Sequence, residues 1–281
     1  MLMWRTSRRV ITFERPKIMA ILNITPDSFS DGGKIITNDD ALRRADQVIK
    51  DGADILDIGG ESTRPGSSRV PENEEIRRTA PVIEAVAKRF DIPISIDTTK
   101  SSVAEAAISA GAEIINDISG LRFEPSIAAV AAKNRAGLIL MHSRGDFASM
   151  HSQPSVSDIL NEVSTGFARS INTAIQSGVA KDHISLDIGI GFGKTVSQNL
   201  ELLAKLDKLA EEYPEYPILV GASRKSFIGS AMGGAAVNSR LNGSIAAAVI
   251  AVWNGAAMVR VHDVRETADA FRVANAIRGQ L

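Results

Sequence analysis

The sequence predicts an α/β protein of the (β/α)8 TIM-barrel class, and three observations carry this prediction. Short apolar runs rich in β-branched residues recur eight times along the chain. A segment with helical periodicity follows each run, and glycine often marks the return from a helix to the next strand. Eight strand–helix units within 281 residues match the repeat number and size of such a barrel.

The eight runs are almost continuously hydrophobic, which is typical of strands buried on both faces of a parallel sheet. They cover residues 18–22, 55–58, 94–96, 114–115, 138–141, 184–186, 218–220 and 258–261. The predicted helices between and after them cover residues 39–50, 72–90, 102–110, 126–134, 159–176, 199–212, 240–253 and 265–277. Ser102 and Glu105 have the spacing of a capping box at the start of the third helix.

An open, doubly wound sheet is the competing architecture. The count of eight strands disfavours it, and so does the absence of a GxGxxG turn after the first strand. No linker or shift in composition divides the chain. We therefore expect a single barrel domain over residues 18–281, preceded by a short cap or hairpin at residues 1–17.

Composition excludes several function classes. The chain has 32 Lys+Arg against 33 Asp+Glu and no cysteine, which excludes disulfides, thiolate catalysis and cysteine-bound metals. The balanced charge disfavours nucleic-acid binding. The longest apolar run, residues 245–253, is too short to span a bilayer, and the first residues lack a secretory pattern. We expect a cytoplasmic protein that binds neither nucleic acid nor membrane.

Polar residues follow every predicted strand. Since the chemistry of these barrels lies at the carboxyl ends of the strands, the residues there are candidates for an active site. A single polar residue can simply mark where a strand reaches solvent, but eight such ends favour a site. In chain order the residues are Asn23, Asp57 with Glu61, Asp97, Asn116 with Asp117, His142, Asp187, Ser223 to Lys225, and Arg260 with His262.

These residue types suit a ligand with two chemically different ends. Asp97, Asn116 and Asp187 can pair with a guanidine-like ring edge, as in guanine or a pterin. Residue types alone do not choose between a purine and a pterin. A di- or triphosphate would suit the cationic and neutral polar residues near the same ends, namely Arg64, Lys225, Arg260, His262, Asn23, Thr63 and Ser223.

Other signals are weaker. The segment GIGFGK at residues 189–194 lacks the spacing of a phosphate-binding P-loop. His142 is interpreted as a packed residue rather than a catalyst, and no His and carboxylate set has zinc spacing. Two connections, residues 24–38 and 61–71, exceed the usual length of such loops and are interpreted as mobile lids over the site.

Nine segments together resemble the dihydropteroate synthase family from about residue 16 to residue 273. The most specific are PKIMAILNITPDSFSDGG (16–33), ILDIGGESTRPGS (55–67), LVGASRKSFIG (219–229) and VRVHDVRET (259–267). The others are IDTTK (96–100), IINDISG (114–120), LMHSRG (140–145), LDIGIGFGK (186–194) and RLNGSIAAAVIA (240–251).

The resemblance implies a barrel enzyme that joins 6-hydroxymethyl-7,8-dihydropterin pyrophosphate to p-aminobenzoate in folate biosynthesis, with sulfonamides competing for the aminobenzoate site. It implies a homodimer that uses Mg²⁺, bound with the help of Asn23. Pterin would be held by Asp97, Asn116, Asp187 and Lys225, and pyrophosphate by Thr63, Arg64, Arg260 and His262. Aminobenzoate would contact Phe29, Pro65, Phe192 and Ser226. The residues expected to act in catalysis are Asp97, Arg64, Lys225, Arg260 and His262.

One departure and two alternatives accompany the resemblance. The family usually has Asp-Pro-Gly where this chain has Asp187-Ile188-Gly189, which bears on the rigidity of that turn. The competing functions are a pterin-dependent methyltransferase acting on a corrinoid and a pterin-binding paralogue without catalysis. Neither would need the full set of anion-binding and lid residues that this chain retains.

Overall fold

A closed barrel of eight parallel strands forms the body of the protein, as the computed structural model describes it for residues 2–24, 38–63, 66–150 and 152–279. An antiparallel hairpin of β1 (Met3–Arg5) and β2 (Val10–Thr12) precedes the barrel. The barrel strands are β3 (Lys17–Asn23), β4 (Ile55–Gly59), β5 (Ile94–Asp97), β6 (Ile114–Asp117), β7 (Gly137–Met141), β8 (Ile184–Asp187), β9 (Ile218–Val220) and β10 (Met258–Val261).

Helices surround the strands within the described residues. They are α1 (Asn38–Lys50), α2 (Glu72–Arg89), α3 (Ser101–Ala110), α4 (Ile127–Asn134), α5 (Ile159–Gln176), α6 (Val196–Ala204), α7 (Leu206–Glu212), α8 (Ser226–Ala231), α9 (Leu241–Trp253) and α10 (Val264–Arg278). All eight predicted strands are present, and β10 pairs with both β9 and β3 to close the barrel. The predicted fold class is confirmed.

Alternation along each strand divides the buried side chains into two sets. On β3, Ile18, Ala20 and Leu22 belong to the large core between the strands and the helices. Met19 belongs instead to a smaller cluster inside the barrel. Because side chains alternate between faces, the next inward positions on β3 are Ile21 and Asn23. Each strand thus carries apolar residues outward and delivers one inward polar residue near its carboxyl end.

Two predictions about helices were wrong. Residues 199–212 are not one helix, because the backbone leaves helical geometry at Lys205 (φ −116°, ψ 25°) and separates α6 from α7. The capping box at Ser102 and Glu105 is absent, since α3 begins at Ser101 and Ser102 Oγ instead donates to Glu72 Oε2 at 2.7 Å. A capping box does form at the start of α6, between Thr195 and Gln198.

The N-terminal hairpin places Trp4 against the amino ends of the barrel strands. Its fully buried indole packs with the inward-facing apolar residues Met19, Ile55, Ile114, Ile139, Leu219 and Met258. Trp4 Nε1 donates to the carbonyl oxygen of His183 at 2.8 Å. A Cβ at Gly137, on β7, would lie 2.9 Å from the indole, so glycine makes room for it. The hairpin therefore closes this end of the barrel, while the domain boundary at residue 17 stays a prediction.

None of the helices in the described part of the chain is long and apolar enough to cross a membrane.

Candidate active site

Four inward-facing polar side chains meet at the carboxyl ends of neighbouring strands. Arg260 of β10 donates from Nε to Asp57 Oδ2 at 2.5 Å and from Nη2 to Asp97 Oδ2 at 2.7 Å. Asn116 Nδ2 of β6 donates to the same Asp57 oxygen at 3.3 Å. Asp57 is fully buried on β4 and thus joins two residues of the predicted site. The resemblance assigned Asp57 no role, although its inward position at the end of a strand pointed to one.

Burial governs the charge state of this cluster. Burial raises the pKa of Asp97 to about 7, and the nearby Asp57 carboxylate adds to the rise, although the Arg260 guanidinium opposes it. Burial alone would lower the pKa of Arg260, but Asp57 and Asp97 outweigh it and raise the value, so this guanidinium stays charged. Within the described residues, Asp57 Oδ1 and Asn116 Oδ1 accept no hydrogen bond. The pocket therefore combines a fixed cation with acceptor oxygens that a ligand can use.

Asp187 lies at the end of β8, where a tight turn fixes its carboxylate. Its Oδ1 accepts the Gly189 N–H at 2.7 Å, and burial raises its pKa. Gly189 has a φ of 64°, and a Cβ there would overlap the carbonyl oxygen of His142, so only glycine fits. Ile188, which replaces the usual proline, is fully buried in the core outside the barrel. The turn is thus held by packing and by the Asp187 hydrogen bond.

Lys225 lies between Asp187 and the loop that follows β8. Its ammonium donates to the carbonyl oxygen of Ile190 and lies 4.4 Å from the centroid of the Phe192 ring. Burial lowers the pKa of Lys225 to about 8, although the Asp187 carboxylate opposes the shift. The next residue, Ser226, is exposed at the start of α8. These contacts bring Lys225, Phe192 and Ser226 to one side of the mouth, as predicted.

The GIGFGK segment has a structural role that sequence reasoning missed. Lys194 Nζ donates to three backbone carbonyls, those of Gly189 at 2.8 Å, Phe192 at 3.1 Å and His142 at 3.2 Å. Burial lowers the pKa of Lys194 well below its ordinary value. The lysine thereby joins the loops after β7 and β8 and holds Phe192 in place. A lysine after three closely spaced glycines was the signal for it.

Asn23, Thr63 and His262 complete the described part of the mouth. Asn23 pairs in register with Gly59, and a Cβ at Gly59 would lie 3.6 Å from Asn23 Oδ1 and 3.8 Å from Asp97 Oδ2. Those two oxygens therefore flank the same point of β4. His262 Nδ1 and Ser223 Oγ are hydrogen-bonded at 3.0 Å, which orients the imidazole ring. Thr63 lies half-buried in the loop after β4.

Three predicted site residues, Phe29, Arg64 and Pro65, lie outside the described residues, as does most of the predicted lid at residues 24–38. Their roles stay predictions.

His142 is a packed residue, in line with its interpretation from the sequence. Burial, together with Lys194 and three nearby arginines, lowers the pKa of His142 to about 2, so the ring is neutral at physiological pH. A Cβ at Gly166 of α5 would overlap the ring, which shows how closely the helix approaches it.

The donor set is consistent with Mg²⁺ held jointly by protein and ligand. In the described ranges, no group of three or more His, Cys, Asp or Glu side chains could hold a metal ion by itself. Mg²⁺ commonly binds through one or two protein oxygens together with substrate phosphates. Asn23 Oδ1 is a hard oxygen donor of the required kind, and the cations nearby suit the phosphates.

Comparison with known proteins adds an independent line of evidence. The family model of pterin-binding enzymes matches residues 19–262. The dihydropteroate synthase of Synechocystis is 46% identical over 264 residues, which cover 94% of this chain and 91% of that protein.

Two solved structures are also similar over almost all of the chain. The dihydropteroate synthase of Yersinia pestis, solved with a sulfonamide drug complex, has a TM-score of 0.93 at 42% identity and covers 99% of this chain and 100% of its own. The enzyme of Burkholderia cenocepacia, complexed with 7,8-dihydropteroate, has a TM-score of 0.88 at 42% identity over 99% of this chain and 97% of its own.

Proposed function

The chain belongs to the dihydropteroate synthase family of pterin-binding enzymes, and from this premise we propose how its own residues carry out the reaction. The enzyme is a transferase that joins 6-hydroxymethyl-7,8-dihydropterin pyrophosphate to p-aminobenzoate, forming 7,8-dihydropteroate and pyrophosphate. The observation that carries the residue roles is the convergence of Asp57, Asp97, Asn116 and Arg260 at the carboxyl ends of four strands.

The pterin binds across the mouth through its guanidine-like edge. The Asp187 carboxylate accepts the ring N–H groups, and Asn116 Oδ1 accepts another, because it has no acceptor role elsewhere among the described residues. Lys225 donates to a ring acceptor, since its short stem contact with Phe192 directs the ammonium inward. Burial strengthens each of these bonds because water no longer competes for them.

The pyrophosphate lies beside the pterin, over the last strand. His262 and Arg260 alternate along β10 and its end, so both side chains face the same interior. Thr63 and Arg64 reach the pyrophosphate from the loop after β4. A guanidinium forms two parallel bonds with a phosphate, and these cations stabilise the charge that builds on the departing oxygen.

The reaction breaks the C–O bond at the methylene group attached to the dihydropterin ring. Electrons from ring nitrogens assist the departure of pyrophosphate, and the ionised Asp97 stabilises the positive charge left on the pterin. The neutral arylamine nitrogen then forms the new C–N bond and releases one proton. Since that amine needs orientation rather than deprotonation, positioning supplies much of the catalysis.

Magnesium would bind the pyrophosphate together with Asn23 Oδ1 and, when bound, would neutralise part of the phosphate charge. The hard-oxygen donor at the end of β3 and the pyrophosphate beside it support this assignment.

The aminobenzoate binds between Phe192 and the residues of the two mouth loops, Phe29 and Pro65, with Ser226 at the start of α8 facing its carboxylate. Sulfonamides, which have the same ring and a polar group in place of the carboxylate, compete for this position. The presence of a sulfonamide drug complex in the Yersinia pestis relative supports this part of the proposal.

The enzyme acts in the cytoplasm as a homodimer joined by outer helices. Several large apolar side chains are exposed on two adjacent helices, Ile250 and Trp253 of α9 and Val273 and Ile277 of α10. Exposed apolar patches of this kind commonly mark protein interfaces. Sedimentation of the purified protein at micromolar concentration tests the dimer.

The function is tested by incubating the chain with dihydropterin pyrophosphate, p-aminobenzoate and Mg²⁺ and measuring dihydropteroate by chromatography. We expect product from the wild-type chain and strong loss after Asp187→Asn, because an amide N–H then faces the pterin N–H groups. The loss in pterin affinity should be about 30- to 1000-fold, or about 2–4 kcal/mol. Wild-type affinity in this variant, measured by calorimetry, would refute the pterin assignment. Chelation of Mg²⁺ should abolish product formation and leave the binding of unphosphorylated pterin unchanged.

A further inference from the structure

The loop between β4 and α2, residues 60–71, is closed at its neck by one carboxylate. Glu61, at the start of the loop, accepts the backbone N–H of Val70, near its end, through Oε1 at 2.6 Å. The same oxygen accepts Lys100 Nζ at 2.8 Å. The Glu61 side chain is only 7% exposed. Nine residues therefore separate two points of the chain that one side chain holds together.

Lys100 in turn is fixed from the opposite side. Its ammonium forms a second ion pair with Glu75 of α2 at 2.5 Å, and the Glu75 side chain is fully buried. Lys100 follows β5 directly, three residues after Asp97, and immediately precedes α3. Glu61 is thus tied through Lys100 to the strand that carries Asp97 and to the helix that ends the loop.

The charge balance of this cluster argues for a role beyond stability. Lys100 and Glu75 already form a neutral buried pair, so Glu61 adds an uncompensated carboxylate in a region shielded from water. Burial raises the pKa of Glu75, and the Glu61 carboxylate contributes to that rise. A surplus buried charge costs stability. A requirement for the loop's position, rather than for the fold, accounts for its presence.

The far side of the same loop also has a defined contact. The Arg69 guanidinium lies 4.7 Å from the centroid of the Phe147 ring and 5.4 Å from that of Phe123. These rings belong to the loops after β7 and β6. Cation–π contacts at exposed sites are weak. The Glu61 carboxylate therefore supplies the strong attachment of the loop, and Arg69 sets the direction in which it leans.

We propose that Glu61 is a positioning residue for the reaction, holding the neck of the β4–α2 loop so that Thr63 and the residues after it meet pyrophosphate and aminobenzoate. This inference rests on the proposed function, because it gives the loop its task. Glu61 touches neither substrate in this scheme and acts through the backbone of the loop, while Lys100 keeps its carboxylate ionised and aimed at Val70.

The test compares three variants, Glu61→Ala, Glu61→Gln and, as a matched control, Glu84→Ala. Glu61→Ala removes the neck hydrogen bond but leaves Lys100 neutralised by Glu75, so the protein is expected to fold. Glu61→Gln retains an oxygen that accepts the Val70 N–H. Glu84 is an exposed carboxylate on the same helix as Glu75, paired only with Lys88 at 2.5 Å among the contacts of the described residues.

We expect Glu61→Ala to raise KM for p-aminobenzoate and lower kcat, with kcat/KM falling about 10- to 100-fold, the effect of losing one buried hydrogen bond to a charged group. Glu61→Gln and Glu84→Ala should stay within about threefold of wild type. Affinity for the unphosphorylated hydroxymethyl pterin, measured by calorimetry, should be unchanged in all three. Hydrogen exchange of the Val70 amide should be fast only in Glu61→Ala.

Two results would overturn the inference: wild-type kinetics in Glu61→Ala, or an equal loss of pterin affinity, which would mean that Glu61 merely supports the fold. A wild-type chain that makes no dihydropteroate would refute the proposed function instead. The exchange of the Val70 amide then still decides whether Glu61 closes the loop, because that measurement needs no substrate.

Discussion

The two ends of the barrel differ sharply although the same strands build both. At the amino ends the inward side chains are apolar, and Trp4 packs among them with its indole fully buried. One or two inward positions further along the strands, the interior holds Asp57, Asp97 and Arg260 in direct contact. The strand alternation is identical at both ends. The barrel therefore separates stability from chemistry along the strand direction rather than between strands.

The physical consequence concerns what each end contributes to folding. Packing of apolar side chains at the amino ends stabilises the barrel in proportion to the area removed from water. The buried charges at the carboxyl ends lose hydration, and their attraction only partly offsets that loss. Removing a residue from the amino end should thus affect stability alone. Removing one from the carboxyl end should affect activity and, where a charge is left unpaired, stability as well.

The largest expected effect is that of Arg260→Ala, which breaks the charged end. Two buried carboxylates, Asp57 and Asp97, then lose their cation, and the free energy of unfolding should fall by about 3–5 kcal/mol. Turnover should fall about 100-fold, since stabilisation of the departing pyrophosphate is lost. Urea denaturation and the rate of dihydropteroate formation measure the two effects. Unchanged stability would show that the carboxylates are neutral in the free enzyme.

Because Arg260 contacts both carboxylates of the pterin pocket, the same variant should also weaken the binding of unphosphorylated pterin. Arg272→Ala, an exposed arginine on α10, is the control and should change neither stability nor affinity.

Trp4→Ala tests the opposite end. It removes a fully buried indole from the interior and should lower the free energy of unfolding by about 3–5 kcal/mol through the cavity that it leaves. The kcat of the folded fraction should stay at the wild-type value, since the indole is separated from the mouth by the layer of inward side chains. A loss of kcat in fully folded protein would contradict the separation of the two ends.

The pH dependence sharpens the comparison, because only the charged end titrates near neutrality. Asp97 must be ionised, and its pKa is about 7, so kcat/KM should fall as the pH drops below 7. Lys225 must be charged, and its pKa is about 8, so kcat/KM should also fall above pH 8. Each limb should approach about tenfold per pH unit. Lys225→Arg should remove the alkaline limb, because arginine stays charged; an unmoved limb would assign it to another group.

The smallest effect is expected at the exposed edge of the hairpin. Arg5 pairs with Asp182 at 2.7 Å, but both side chains are half exposed. Arg5→Ala should therefore lower the free energy of unfolding by less than about 1 kcal/mol. A larger loss in thermal denaturation would mean that the hairpin is held by this ion pair as well as by Trp4.

Much of the fold was predictable because its signals are local. Eight apolar runs give eight barrel strands, since a strand buried on both faces must be hydrophobic along its length. Helix ends were less predictable. Ser102 and Glu105 have capping spacing but lie within the first turn of α3, because the chain enters that helix one residue earlier. The break at Lys205 likewise depends on how α6 and α7 pack against the barrel.

The sequence by itself determined the barrel, the end at which its chemistry lies, and the residue types that suit a pterin with an anionic tail. Periodicity and the order of the strands are properties of the chain, so they can be read along it. Only the tertiary structure decided which side chains meet: Asp57 with Arg260 across 203 residues, Lys194 with three carbonyls, and Glu61 with Val70 and Lys100. The reason is that closing the barrel brings the first and last strands together, and neither the contacts made there nor the pKa values set by burial exist before that closure.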